Sequence, residues 1–572
     1  MSANNTPPLS PSSNEGIENL QIPAFWNRLD KRYDWNYSTT PQAGLDGRSV
    51  EYRRGWVVGG SSSINACGYT RGAKDDYDLW ARITKDKRWS WEAMWPYLLR
   101  NENWTLPIGG RDPAGQFDPR YHDTKGNVRV ALAWDGPNAH DLRALEAATS
   151  KEMKVNEDFR FNLDMNDGSP RGVGWNQFTA GGGERSSAAT AYLPTHVRER
   201  PNLTILLNTL VLRVLPSREG EGGQLDVRSV ELAPMIARSG GRSSSGTLSP
   251  ALQALASDLS SAVVTPNSTR TVTASKELIL SAGAINSPHI LLLSGIGNRT
   301  ELEEVGVDVV HDLPGVGKGM SDHVNVVVRW RANVSAEVID EDQALLQWRT
   351  NRTGPFSKAT DHLYLYFRLP DNSSVFETWK DPSPGRGSAH FELPLEKSAP
   401  EIPGYMAFLT PYSRGTVTLS SSNPYDPPLI DPNFLSHPFD LAAITEGIRT
   451  ANAFYSSPSF KRDNYIMEFI GPDPDKLSKE EFEREIKKTM GSFLHAVGTT
   501  AMGPWGVDDD NDGDGAKGVG GRVVDPEFRV RGVKGSRVVD AGVIPYVPSG
   551  HTQAPVYIVA ERAVDFIRET WM

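Results

Sequence analysis

The sequence predicts a mixed architecture: an incomplete Rossmann-like α/β part followed by an α+β part built on an antiparallel sheet. Three observations predict it. Two segments, ELILSAGAINSPHILLLSGIG at 277–297 and VVDAGVIPYVPSGHTQAPVYIVAERAVD at 538–565, each run from a short strand-like stretch through small residues into a helical apolar period. Beyond Asp322, the segments 324–328, 362–367, 405–410 and 415–420 alternate apolar and polar residues, as strands with one solvated face do. The chain, at 572 residues, is long enough for two or more domains with sizeable cores.

Residues 1–16 are rich in Ser, Pro and Asn, and with the run to Gln21 they read as a disordered tail, 1–21. The stretch MSANNTPPLSPSSNEG has no charged n-region and no apolar h-region, so it is not a signal peptide. Sequons at Asn4, Asn36, Asn103, Asn202, Asn267, Asn298, Asn333, Asn351 and Asn372 point weakly toward the secretory route. Localisation stays open on the sequence.

At 53–74, RRGWVVGGSSSINACGYTRGAK concentrates Gly59, Gly60 and three serines in a sharp turn. Such a turn lets the main chain approach a ligand closely and offers it N–H donors; a tightly packed turn needs the same residues. Residues 77–100 read as helix, with an aromatic core cluster at 89–95, and 140–154 as another helix. Strand-like runs follow at 203–207 and 210–215, and 237–266 reads as a Ser/Gly-rich surface insertion. In 277–297 the strand is 278–280, Ala282-Gly283-Ala284 is a close-approach turn, and Ser287 with Pro288 is placed as N-cap and N1. Helices are expected at 441–456 and 479–490, followed by GSFLHAVGTTAMGP at 491–504, which sets His495 in a Gly-bounded turn.

In the last segment the β-branched run 537–539 leads through Asp540-Ala541-Gly542 and a Pro-rich turn to His551. Thr552 is placed as N-cap, Pro555 falls in the first turn, and Val556, Val559, Ala560, Ala563, Phe566 and Ile567 keep a helical period. A histidine between a strand end and a helix N-terminus is placed for a phosphate or a developing anion.

Composition excludes several classes. Formal net charge is −11 and no basic run reaches five residues, so nucleic acid and anionic membrane surfaces are not expected partners. No apolar run is long enough to span a bilayer. The single cysteine, Cys67, allows no internal disulfide and no multi-cysteine metal site, and it reads as a small packed residue. Asp508, Asp510, Asp512 and Gly513 match the start of a calcium loop, but Val519 stands where the bidentate Glu belongs, so an acidic insertion is expected and no metal. No G-x-S-x-G elbow supplies a hydrolase nucleophile.

Taken together, 55–74, 283–297, His495–Thr499 and 540–553 resemble, in order and spacing, the glucose–methanol–choline (GMC) oxidoreductase family, nearest its fungal aryl-alcohol-oxidase-like branch. The resemblance runs from about Ile22 to the C-terminus. It implies an FAD/NAD(P)-binding-type domain at 22–320, a mainly substrate-binding domain at 321–524 and a return to the first domain at 525–572. It implies oxidation of an alcohol, aromatic alcohols included, to a carbonyl, with O2 or a quinone-like compound as electron acceptor. By the same match His495 is the expected base and His551 its alkoxide-stabilising partner; a neutral imidazole suits the first task near pH 7.

The match also places Asn65, Ala66, Cys67 and Gly68 against the isoalloxazine ring. Val211 falls at the adenine edge, and Ala541, Thr552 and Gln553 at the C-terminal flavin and pyrophosphate contacts. Ile64 stands where some members carry the histidine that attaches FAD, so FAD is expected to be non-covalent. One departure matters. Members open with a strand, a G-x-G-x-x-G turn and a helix, and nothing before Gln21 resembles them. The ADP-gripping half of the site is therefore expected to be absent, FAD affinity to be low, and the chain to be a truncated form of a secreted enzyme or a relative that binds no FAD.

Overall fold

A computed structural model describes residues 16–150, 153, 157–219, 225–234, 269–335, 338–395, 400–504 and 521–572. The tail as far as residue 15, the insertion at 237–266, the acidic stretch 508–519 and the sequons at Asn4 and Asn267 lie outside them. The tail boundary at 21 is corrected. Glu18–Gln21 forms a helical turn whose Leu20 is fully buried with Tyr33, Val57 and Ile64.

The architecture is mixed α/β, as expected. Its largest element is a 7-stranded antiparallel sheet. Strand order is Ile466–Gly471, Val324–Ala332, Glu401–Phe408, Phe391–Pro394, Leu363–Phe367 and Gly172–Trp175, with Gly491–Ser492 pairing the start of Val324–Ala332. One face of this sheet, carrying Val326, Val328, Leu365, Phe391, Leu393 and Phe408, is packed with the helix Pro438–Tyr455 into the main core. Contact is close enough that a Cβ on Gly447 would fall 2.5 Å from the Phe391 ring. Burial of this face, at about 25 cal/mol per Å² of apolar surface, is the main force holding the sheet. The opposite face carries Tyr364, Tyr366 and Ala407 in a smaller cluster with Met165 and Phe493.

The second structural centre is small. Leu278–Leu280 pairs in parallel with Ser536–Val538, residues 258 positions apart in register (536 against 278). Asp540, just past the second strand, accepts from the Gly283 N–H and the Ser287 hydroxyl with one oxygen and from the Gly542 N–H with the other. The helix after the first strand spans Gly283–Leu293, so Ser287 and Pro288 sit inside it rather than at its N-cap and N1. The reason is Asp540: it satisfies the first N–H of the helix from outside, a task the sequence reading gave to Ser287. Pro288 cannot donate to Ala284, four residues earlier. The Thr499 hydroxyl bonds that carbonyl instead, at 2.6 Å.

Other elements follow expectation with local differences. The helix read at 77–100 is two, Lys74–Thr84 and Trp91–Asn101, because Lys85 turns left-handed (φ 54°) and Asp86 caps a short 3-10 turn. The helix read at 140–154 is Ala139–Thr149, capped reciprocally by Asn138 and Asp141. Residues 203–207 form no strand, and the hairpin begins at Thr209. The strand near 415 pairs in a separate 3-stranded sheet. The C-terminal helix, Gln553–Trp571, begins after Thr552, which gives no side-chain cap bond. No helix among the described residues is long and apolar enough to cross a membrane.

Candidate active site

The two structural centres meet at His495 and His551, whose ring centroids are 5.3 Å apart. His495 follows the short strand Gly491–Ser492 at the rim of the large sheet. Its position is fixed by Asp322, which accepts the His495 N–H at 2.7 Å, the Tyr52 hydroxyl at 2.5 Å and the Ser492 hydroxyl. Ser492 Oγ in turn accepts from the Leu494 N–H at 2.6 Å. These bonds hold Leu494 at φ +65°, a left-handed conformation that costs a bulky side chain about 1 kcal/mol or more. Local strain is therefore stored next to the histidine.

His551 comes from the other centre. Its N–H is held by Thr70 Oγ1 at 2.6 Å, and its Nε2 lies 2.7 Å from Glu392 Oε1 on the strand Phe391–Pro394. The other Glu392 oxygen accepts the Tyr366 hydroxyl at 2.8 Å. The Tyr364 ring stands edge-on to His551 at 5.9 Å, and Phe493 lies 5.8 Å from His495.

The two imidazoles are pushed in opposite directions. Burial, then His323, His551 and Arg54, depress His495 well below the usual imidazole range. Burial also acts against a charged His551, but the Glu392 carboxylate, through its charge and its hydrogen bond, carries that ring above the usual range. The site thus holds a neutral imidazole beside one disposed to carry a proton. That division of labour is the one needed by a base and an alkoxide-stabilising donor.

The residues expected at the flavin end are gathered around the pair. Asn65 Nδ2 donates to Gln553 Oε1 at 2.7 Å, and Asn65 Oδ1 accepts from the Cys67 N–H. Thr179 Oγ1 reaches both the Cys67 carbonyl and Gln553 Oε1. Cys67 is buried at φ +63°, and burial raises its thiol pKa. Gly68 lies so close to His551 that an added Cβ would stand 2.3 Å from Nδ1. Ala66 and Thr552 are half-buried in the same two loops, and Ala541 opens a 3-10 turn packed against the main core and against a small cluster that includes Tyr52, Ala284 and Ala496. Val211, expected at the adenine edge, lies on the hairpin strand Thr209–Glu219, opposite Leu232.

Two glycines leave space for a ligand. A Cβ built on Gly60 (φ +56°) or on Gly283 (φ +85°) would meet no atom within 4 Å. Nearby, Arg185 is buried and donates to the carbonyl and side-chain oxygens of Asn65 at 2.6 and 2.8 Å. It forms no ion pair among the described residues, so the loop carries a buried positive charge balanced only by dipoles.

Sequence reasoning missed Asp322, His323, Glu392 and Tyr364. Signals for three of them exist. Glu392 interrupts the apolar Phe391–Pro394, and Asp322-His323 directly precedes the first alternating strand. Neither says which histidine the residue meets.

Family models described as GMC oxidoreductase match residues 22–244 with 251–325, and 411–560. The chain is 34% identical to pyranose dehydrogenase from Agaricus campestris over 98% of its length and 88% of that protein's. Among solved structures, an FAD-dependent oxidoreductase from Chaetomium thermophilum matches with TM-score 0.78 and 25% identity, covering 98% of this chain and 94% of that one. A fungal aryl-alcohol oxidase matches with TM-score 0.76 at 22% identity, covering 94% and 90%, a likeness of fold.

Proposed function

This chain belongs to the GMC oxidoreductase family, whose members are FAD-dependent oxidoreductases of alcohols and sugars, and from that premise we propose that it oxidises a CH–OH group of a small-molecule alcohol to a carbonyl. The single observation carrying the proposal is the His495–His551 pair, 5.3 Å apart with pKa values driven in opposite directions.

The residues present fit the flavin end of FAD. Gly60 and Gly283 leave open faces at two close-approach turns, and Arg185 supplies an unbalanced buried positive charge beside Asn65. Asn65, Ala66, Cys67 and Gly68 would hold the ring from one side, with Ala541, Thr552 and Gln553 from the other and Val211 toward the adenine. Ile64 offers no nucleophile for covalent attachment, so the cofactor is non-covalent. When bound, FAD would supply the acceptor for the substrate's hydride, with oxygen or a quinone-like compound as the electron acceptor beyond it.

The chain's own residues handle the proton. His495 takes it from the substrate hydroxyl, and His551, disposed to carry a proton by the carboxylate that accepts its Nε2–H, stabilises the oxygen left negative through its charge. Phe493 and Tyr364 wall the pair with rings, which favours a substrate bearing a ring next to the carbinol carbon. An aryl alcohol is the first reading. A pyranose is the second, favoured by the 34% identity to a pyranose dehydrogenase.

A third reading is a family relative that binds no FAD. It draws on one observation: among the described residues no Gly-x-Gly-x-x-Gly turn joins a parallel strand to a helix. Flavin absorbance near one equivalent per purified chain rules that reading out. With flavin present, anaerobic mixing with benzyl-type alcohols and with glucose should bleach the flavin band for one class. His495→Ala should slow that bleaching about 100-fold or more. Undiminished bleaching in His495→Ala would refute the assignment.

A further inference from the structure

We propose that His323 fixes the tautomer of His495, keeping the His495 proton on Nδ1 so that Nε2 presents a lone pair to the substrate hydroxyl. The inference rests on His495 being the base and adds a positioning residue to it.

His323 is fully buried at the entry to the strand Val324–Ala332, and its Nδ1 lies 2.9 Å from His495 Nδ1. Two ring nitrogens at that distance share one proton: one donates and the other accepts. The remaining hydrogen bond of His495 uses its backbone N–H, to Asp322, so Nε2 is bonded to no described residue. Nε2 is thus the one nitrogen able to receive a proton from a substrate.

The direction of the shared bond decides what His495 can do. If His495 Nδ1 accepted, the ring's proton would sit on Nε2, and the substrate would meet a donor. If His495 Nδ1 donates, Nε2 is bare and the ring is a base. The second arrangement places the His323 proton on its own Nε2. That nitrogen makes no hydrogen bond of good geometry, and the backbone of Pro548 and of Leu409 beside the ring acts to favour a proton on it.

The charged surroundings keep both rings neutral at rest. Arg54 and His551, the latter paired with Glu392, face the pair, while Asp322 is engaged by the His495 N–H, Tyr52 and Ser492. Burial and His551 bring His323 down to about 3. On proton transfer the substrate O–H bond breaks and an Nε2–H bond forms on His495. The new imidazolium keeps donating through Nδ1–H to a neutral acceptor, which strengthens that bond as charge develops. In Ser-His-Asp triads the buried acid does this job, and the wrong tautomer costs about 10⁴-fold. A neutral acceptor should be worth less.

The test has two arms. In the purified full chain labelled with 15N-histidine, the His495 signals, identified by their loss in His495→Gln, should report a protonated Nδ1 and a bare Nε2. A protonated Nε2 overturns the inference. In turnover, His323→Asn keeps an acceptor near Nδ1 and should hold kcat/KM within about tenfold, while His323→Phe removes it and should lose about 100-fold at equal flavin content. Equal losses in both variants also overturn it. If His323→Phe does not fold, the spectra of the parent and the Asn variant decide. A fully active His495→Ala would instead sink the catalytic reading and leave the tautomer spectrum standing.

Discussion

His551 Nε2 lies 2.7 Å from Glu392 Oε1, joining the loop before the last helix to the middle of the large antiparallel sheet. The contact crosses between parts of the chain 159 residues apart, and it is the reason the two histidines differ in charge preference.

Glu392→Gln should therefore move the alkaline limb of the kcat/KM profile. In the proposed mechanism His551 acts protonated, so activity should fall as pH rises through its raised pKa. Removing the carboxylate lowers that pKa and shifts the limb to lower pH, with about a 10- to 100-fold loss at neutral pH. Stability follows the same sign. A histidine raised in the folded state contributes below its unfolded pKa of about 6.5, and the contribution fades as pH rises through the folded value. The Tm difference between parent and variant should shrink on going from pH 6 to pH 9. A constant difference would count against the linkage.

Gly68→Ala should displace His551. The new Cβ would need to occupy space 2.3 Å from Nδ1, and the ring must move by about 1 Å or the loop must shift. A misplacement of that size costs about 100-fold in turnover. Steady-state kinetics at matched flavin content would show it, and an unaltered kcat would mean that the ring's position is not critical.

Asp322→Ala should loosen the His495 loop. It strands the His495 N–H and two hydroxyls, those of Tyr52 and Ser492, and releases the strain at Leu494. Each lost bond leaves a buried donor costing about 1–3 kcal/mol, so the variant should be destabilised by about 3 kcal/mol or more in urea unfolding. Asp322→Asn, which keeps one acceptor, should lose less.

Thr499→Val should remove the hydroxyl bonded to the Ala284 carbonyl, which lacks an i+4 N–H because residue 288 is proline. A loss of about 1–2 kcal/mol is expected. Adding Pro288→Ala restores an N–H four residues on. The double variant should recover most of the loss, so a double-mutant cycle would give a coupling energy well away from zero. Simple additivity would mean that the two residues do not share that carbonyl.

Much of this was legible from residue order. Strand 278–280 is legible to the residue, and the β-branched and aromatic runs at 324–328 and 362–367 mark two strands of the large sheet, although burial on both faces leaves Leu363–Phe367 with no buried/exposed alternation. His495 and His551 stand out in the sequence through their surroundings in two separated motifs, and the fold sets their rings side by side. The partners were not legible. Glu392, His323 and Asp322 meet the histidines through tertiary contacts whose chemistry leaves no periodic trace. Asp540 likewise displaced the helix start from Ser287 to Gly283 because its cap acts from 257 residues away. Local propensity cannot register a partner so remote in sequence.

The pairing of Leu278–Leu280 with Ser536–Val538 carries a consequence for biosynthesis. The first strand leaves the ribosome long before its neighbour exists. At 5–20 residues per second the interval is roughly 10–50 s. Throughout it, one edge of the strand and the donors that Asp540 will satisfy must wait unpaired. The pocket therefore closes only as the last few dozen residues emerge, and nascent chains should depend on holding factors until then.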